Sequence, residues 1–416
     1  MTQNDLRPKT ALLLLTALNL LNYVDRSVLF GVQPLIQNEF HVSKTQIGFL
    51  TTAFLLCYMI AAPFVGPLAD RYSRKLIIAV GAFFWSGLTL LTAVTHTYAE
   101  LFVRHTLVGV GEATFVTIAP TFVADLFSEA RRGRILGIFY LAIPVGSALG
   151  YLLGGHLSEH HGWRFPFYIA AAPGFAIATA VMFLKEPERG RMDSRKDTAE
   201  RGTIWATILG LARNPAFVAA TLGMAMMTFS LGGIQAWMPQ FLYSERGYTL
   251  ARADFDFGLI IVIDGILASL IGGWLGDYLL RRTKSAYYLV SAVGMALGVP
   301  FMMEALFVPG KTMMPAIGVA AFFLLLNTSP LNAAVINSVG AHIRATALAV
   351  NIFIIHILGD VFSPTLMGWV GDRHSLQTSF ILPVIAMVFS SLILFFGMRF
   401  APPVRAGAKP VATGAH

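Results

Sequence analysis

Gly66-Pro67-Leu68-Ala69-Asp70-Arg71-Tyr72-Ser73-Arg74-Lys75 closes one apolar run and opens the next. The same pattern returns as Gly273-Trp274-Leu275-Gly276-Asp277, again followed by basic residues, Arg281, Arg282 and Lys284. Pro120 and Arg134 recur as Pro330 and Arg344, about 210 residues on, the offset that a duplicated six-helix unit in parallel orientation requires. The chain therefore reads as two related halves, each ending its second helix with a glycine, an acid and a basic turn.

Working outward, apolar runs of about 20 residues, the length that crosses a hydrocarbon core of about 30 Å, alternate with short charged stretches. They place twelve helices at about 11–35, 45–67, 75–95, 99–125, 134–158, 165–184, 215–243, 253–279, 285–308, 312–338, 344–370 and 378–399. Of 416 residues, 56% are apolar and 12% charged, against about 25% charged in a soluble domain. The expected fold class is an all-α membrane protein of twelve transmembrane helices in two pseudo-symmetric six-helix bundles. Its divisions are residues 1–184, a cytoplasmic linker at 185–213, a second bundle at 214–400 and a cytoplasmic tail at 401–416. The first run is too long for a signal-peptide core and lacks a cleavage pattern, so it is retained as a span.

The net charge of +8 does not point to nucleic acid, because the basic residues sit in alternate loops. About 22 Lys and Arg fall in the termini and even-numbered loops and about six opposite them, which sets both termini in the cytoplasm. The lone Cys57 gives neither disulfide nor cysteine metal site. No phosphate-binding Gly-Lys loop is present and no cofactor is expected, so the energy comes from a gradient. Protons are the first expectation because carboxylates lie within the membrane, with sodium as the alternative.

The run from Gly66 to Lys75 looks like the loop signature of the major facilitator superfamily, and Arg104 to Ala113 is similar to its fourth-helix motif. Gly137, Gly146, Gly150, Gly154 and Gly155 follow its glycine-rich antiporter spacing, with Tyr151 where proline is usual, which weakens an inference of antiport. More narrowly, the segments 19–26, 232–239, 344–347 and 356–364 resemble the Spinster-like transporters, a family linked to lysophospholipids and sphingoid phosphates. That resemblance implies a transporter moving an amphiphilic anionic solute by alternating access; the compact chain with short loops fits a bacterial inner membrane, and a monomer in the bilayer is expected. The alternative is a proton-coupled exporter of drugs or other small organic anions.

Read physically, Asp25 and Arg26 lie mid-span, where each ionisable residue costs about 2.5–3.5 kcal/mol to insert, and Asn22 reaches either across one turn. Glu112 also lies mid-membrane, with Arg104 two turns earlier and expected on nearly the same face. Asp25 and Glu112 are the proton-coupling expectation, and Arg26 and Arg104 compete for them or for an anionic substrate; a purely stabilising ion pair is the plainer alternative. The first and fourth helices line the central cavity in the resembled fold. His356 and Asp360, one turn apart, form a titratable pair or else bond neighbouring helices, and Asp264 is a further intramembrane acid. Gln235, Trp237 and Asn327 are cavity candidates, though tryptophan in a span more often anchors at the interface. Gly66, Asp70, Arg71, Arg74 and Asp277 form a conformational gate by resemblance, or a topological anchor.

Two other classes are weaker. An intramembrane protease would need paired aspartates, but the second acid here is Glu112, and no Ser/His or zinc-ligand spacing substitutes for it. A channel or receptor does not account for the duplicated halves and repeated loop motif.

Overall fold

The computed structural model describes residues 3–188, 204–340 and 343–402. Most of the polar linker and nearly all of the tail lie outside the described residues. Twelve helical stretches are long and apolar enough to cross a membrane, and the described residues contain no strand. Six spans precede the linker: α1 (Gln3–Phe40), α2 (Lys44–Arg71), α3 (Arg74–Thr92), α4 (Tyr98–Leu126), then α5 (Glu129–Tyr140) joined to α6 (Ala142–His161), and α7 (Phe165–Met182). A short α8 (Ile204–Ala212) occupies the end of the expected linker and packs on α9 (Pro215–Arg246). Then come α10 (Leu250–Leu280), α11 (Ala286–Phe307), α12 (Met313–Leu325) with α13 (Thr328–Asn337), α14 (Arg344–Ile355) with α15 (Ser363–Arg373), and α16 (Leu376–Ser379) with α17 (Ile381–Gly397).

The sequence pattern placed the spans but not their breaks. α1 continues past Pro34 to Phe40, a proline tolerated because neighbouring helices surround it. The eleventh span is interrupted by a π-turn at His356–Asp360, where Gly359 leaves helical geometry at φ −107° and ψ −108°.

Lipid supplies no hydrophobic force between helices, so close contact relies on small residues. Along α6, a Cβ at Gly146 would stand 2.5 Å from Leu20 O, and one at Gly150 would stand 2.5 Å from Val24 O. The backbones of α1 and α6 therefore touch along this stripe, which fixes the height and rotation of Asp25 and Arg26.

With twelve spans, α1 begins and α17 ends on one face, called the chain-end face; the opposite face is the far side. The far halves of α1, α2 and α9 are enclosed almost all round, as in the run Ala236 to Leu242 of α9 and Leu50 to Leu55 of α2. Toward the chain ends α2 is open, with Ile60 67% and Phe64 74% exposed. Bonds crossing the halves on the far side have a reciprocal form. Asp372, ending the eleventh span, accepts the N–H groups of Lys44 and Thr45 at 2.8 Å each, capping α2. Glu159, near the end of the fifth span, accepts Ala251 N–H at 2.8 Å, capping α10. Gln240 also donates to Gln37 at 2.8 Å, and Thr52 Oγ1 donates to Val361 O. The halves are joined at the far side and part toward the chain ends.

Because Gly150 meets backbone and Gly66 meets nothing within 4 Å, Gly150→Ala is expected to lower the thermal midpoint in detergent, by the roughly 1–3 kcal/mol of overpacking. Gly66→Ala, measured alongside, should leave it unchanged.

Candidate functional site

The first-half site is built on α1 and α4. Arg26 Nε donates to Glu112 Oε2 at 2.7 Å, the side chains being 20% and 0% exposed. The guanidinium carbon lies 5.0 to 5.4 Å from the ring centroids of Tyr23, Phe54 and Tyr58. Each such contact contributes about 0.5–2 kcal/mol, so three rings and a charge-assisted bond together offset the cost of a mid-span cation. Glu112 Oε1 has no partner among the described residues.

Asp25, one residue from Arg26, is buried, with Oδ2 accepting from Thr89 at a long 3.4 Å and Oδ1 unbonded. Asp25, Arg26, Thr89, Thr92, His105 and Glu112 border a cavity of about 10 Å³, the scale of a single water. Asn22 is fully buried beside Glu112, yet neither amide atom forms a hydrogen bond of good geometry. The two acids and one base expected from α1 and α4 are thus brought together.

Arg104 is not. It donates to Leu91 O at 2.6 Å and Thr95 Oγ1 at 3.0 Å, and pairs with Glu100 at 3.6 Å. At 100° per residue, eight residues turn Arg104 about 80° from Glu112, whereas seven bring His105 within about 20°. His105 is the residue on the site's face, buried and stacked on Phe54, and the helical phase alone would have found it.

In the second half, His356 Nδ1 and Asp360 Oδ1 stand 2.8 Å apart across the π-turn. Tyr23, whose ring lies 5.1 Å from the Arg26 guanidinium carbon, is close enough to feel the charges of both Glu112 and Asp360. Trp237 is fully buried and donates to Pro364 O at 2.8 Å, a helix-packing role. The main-chain carbonyl of Gln235 accepts the Tyr151 hydroxyl across the halves at 2.7 Å. Asn327 stands at the break between α12 and α13, and its amide donates to Phe323 O and Leu324 O. Among the described residues, no group of three His, Cys, Asp or Glu side chains is gathered as a metal ion would need.

The gate residues divide. Gly66, Asp70 and Arg71 sit at the chain-end turn of α2, with Asp70 and Arg71 exposed. Asp277 accepts the Tyr287 hydroxyl at 2.7 Å. Arg74 is a buried node: it pairs with Asp125 at 2.6 Å and Glu186 at 3.3 Å, donates to Pro187 O at 2.9 Å, and lies over the Phe122 ring. Partial burial works to raise the Glu186 carboxyl, but hydrogen bonds from Ser73 and from the Arg74 main chain and guanidinium outweigh it and hold the group below its ordinary value.

The family model of the Major Facilitator Superfamily matches residues 15–359. Protein spinster homolog 1 of Xenopus laevis is 34% identical over 405 residues, covering 92% of this chain and 77% of that one. The sphingosine-1-phosphate transporter SPNS2 of Danio rerio is 35% identical over 404 residues, covering 92% and 79%. Among solved structures, a bacterial homologue of the human lysosomal transporter Spinster, inward-facing and unoccupied, superposes with a TM-score of 0.87 at 22% identity, over 95% of this chain and 98% of that one. The same kind of homologue in an inward-facing, occupied form gives 0.83 at 21% identity, over 95% and 97%.

A carboxylate held below its ordinary value stabilises the fold fully above about pH 4.5 and loses that contribution as acid carries it through its lowered folded value. Glu186→Gln is therefore expected to lower the thermal midpoint at neutral pH and to flatten its decline on acidification, read by melting curves between pH 7 and 3.

Proposed function

The chain belongs to the Major Facilitator Superfamily and, within it, to the Spinster-like transporters, and from that premise we propose proton-coupled transport of an amphiphilic anionic solute. It is a multi-pass membrane transporter and not an enzyme. The observation that carries the proposal is the ion pair of the half-buried Arg26 with the fully buried Glu112, with Asp25 on the same small cavity.

Glu112 occupies one edge of the only cation in that cavity lining. A phosphate arriving there competes for the guanidinium, whose fork suits a phosphate better than a lone carboxylate contact. A proton on Glu112 removes the competing charge and releases Arg26. Proton and anion therefore favour one another's binding, and by linkage the coupling is reciprocal. Asp25, one residue away, is the second proton acceptor. The rings of Tyr23, Phe54 and Tyr58 leave an apolar flank beside the charge, which suits a solute with a charged head and an apolar tail, the lysophospholipid or sphingoid-phosphate class.

Basic residues concentrated on the chain-end face support a reading in which that face lies in the cytoplasm, at an inner membrane. The far-closed arrangement is then the inward-facing state of a monomer. Residues 1–184 and 214–400 rock as two bodies about the cavity, joined by 185–213.

The test is uptake of a labelled lysophospholipid into liposomes holding the purified chain, with and without a pH gradient. Gradient-stimulated uptake is expected, falling about tenfold or more in Glu112→Gln, the scale of one charge-assisted bond worth about 1.5–3 kcal/mol. Arg26→Ala should lose it too, whereas Arg104→Ala, whose bonds end on Leu91 and Thr95, should stay within about twofold, under 0.5 kcal/mol. Intact pH-driven uptake in both Asp25→Asn and Glu112→Gln would remove the coupling role. Drive by sodium instead of protons would remove proton coupling, and movement of a small organic anion without lysophospholipid flux would remove the lipid class.

A further inference from the structure

Asp254 is a buried acid that the Arg26–Glu112 site does not use. It lies in the second turn of α10 at 0% exposure, and neither carboxyl oxygen has a hydrogen-bond partner among the described residues. Its pocket is made by the other half. A Cβ at Gly155 of α6 would stand 2.5 Å from Oδ2, and a Cβ at Gly31 of α1 would stand 2.9 Å from it. Two glycines on two first-half helices thus leave a slot, and a second-half carboxyl fills it.

We propose that Asp254 is a second proton-binding site, set in the far-side seam, so that the closed seam takes the protonated carboxyl and the proton leaves when the halves part there. The proposal rests on alternating access, but on neither the solute nor the Arg26–Glu112 pair.

The surroundings offer nothing to balance a charge. The α6 groups that bear on Asp254 are Glu159 and Tyr151, an acid already capping Ala251 and a phenol already bonded to Gln235 O; His156, His160 and His161 of the same helix are exposed, turned away from the slot and packed on one another. α1 carries no ionisable side chain between Arg26 and Glu39, and α9 none between Pro215 and Tyr243. On α11 the ionisable group at that end is another acid, Glu304, and α12 and α13 carry none. On its own helix Arg252 pairs outward with Asp256 at 3.4 Å. An ionised carboxylate so enclosed is far costlier than a neutral one. The slot is also conditional: Gly31 and Gly155 move with one half and Asp254 with the other, so parting the far side uncovers the acid to water. Closure and proton binding are therefore linked, and the far-open population must rise with pH.

The test reads that population directly. Spin labels at Ala99 and Lys311, exposed on the far side of opposite halves, are introduced into Cys57→Ser, and their distance distribution is measured in liposomes from pH 5 to 9. The ratio of the longer, far-open distance to the shorter one should rise with pH, by up to about tenfold per unit, the limit for one proton. Asp254→Asn, a fixed neutral mimic, should hold the short distance at every pH. Gly155→Ala, which crowds Oδ2 without touching the acid, should favour the long distance throughout. An Asp254→Asn series that follows the parent's pH dependence would overturn the assignment while leaving proton-coupled transport standing. So would a parent ratio that is flat with pH, or one that follows sodium instead.

Discussion

A guanidinium cannot be left alone in hydrocarbon, and the first half of this transporter is arranged around that fact. Arg26 is met by Glu112 on one side and by three aromatic rings on the others. Each partner reaches it because backbones come unusually close. Gly146 and Gly150 let α6 touch α1, and a Cβ at Gly109 of α4 would stand 2.5 Å from Phe54 O of α2. Phe54 and Tyr58 therefore hang over the cation from a helix pressed against the one that carries Glu112. Small residues on two helices, α6 and α4, are the condition for one charge in the middle.

The same economy governs the seam between halves. Helix N-termini carry unbonded N–H groups and a partial positive charge. Asp372 of the second half satisfies those of α2, and Glu159 of the first half satisfies the one at Ala251 of α10. These are equivalent positions in a duplicated chain, so one interaction is used twice in opposite senses. Water could replace either carboxylate if the far side opened, because both caps lie at the exposed ends of spans. The far side is thus closed by contacts that cost little to exchange, as a reversible gate requires.

How much of this was legible in the sequence follows from the range of the interaction. Spans are local, and twelve apolar runs gave twelve spans within a few residues. Asp25, Arg26 and Glu112 stood out because a charge in an apolar run is conspicuous. What failed was phase and partnership. Charge points to Arg104, but helical rotation turns it away from Glu112 and brings His105 round instead. Arg74 reads with its loop in sequence, yet its partners Asp125 and Glu186 are 51 and 112 residues on and come to it only once α3 packs on α4 and α7. Trp237 and Asn327 have the composition of cavity residues but spend their donors on carbonyls of Pro364, Phe323 and Leu324. The π-turn at Gly359 left no periodicity signal, since its neighbours are apolar on both sides.

Two buried carboxyls now stand in contrast. Glu112 is enclosed by helices of one half beside a permanent cation, so its surroundings change when a solute or proton arrives and little when the halves move as bodies. Asp254 is enclosed only where the halves meet, by glycines that belong to the other side of the seam. The first is placed to register occupancy and the second to register conformation. A carrier needs both kinds of dependence, because a ligand shifts a conformational equilibrium only by its difference in affinity between states. A group buried within one half supplies little such difference by itself; a group buried between halves supplies it by construction.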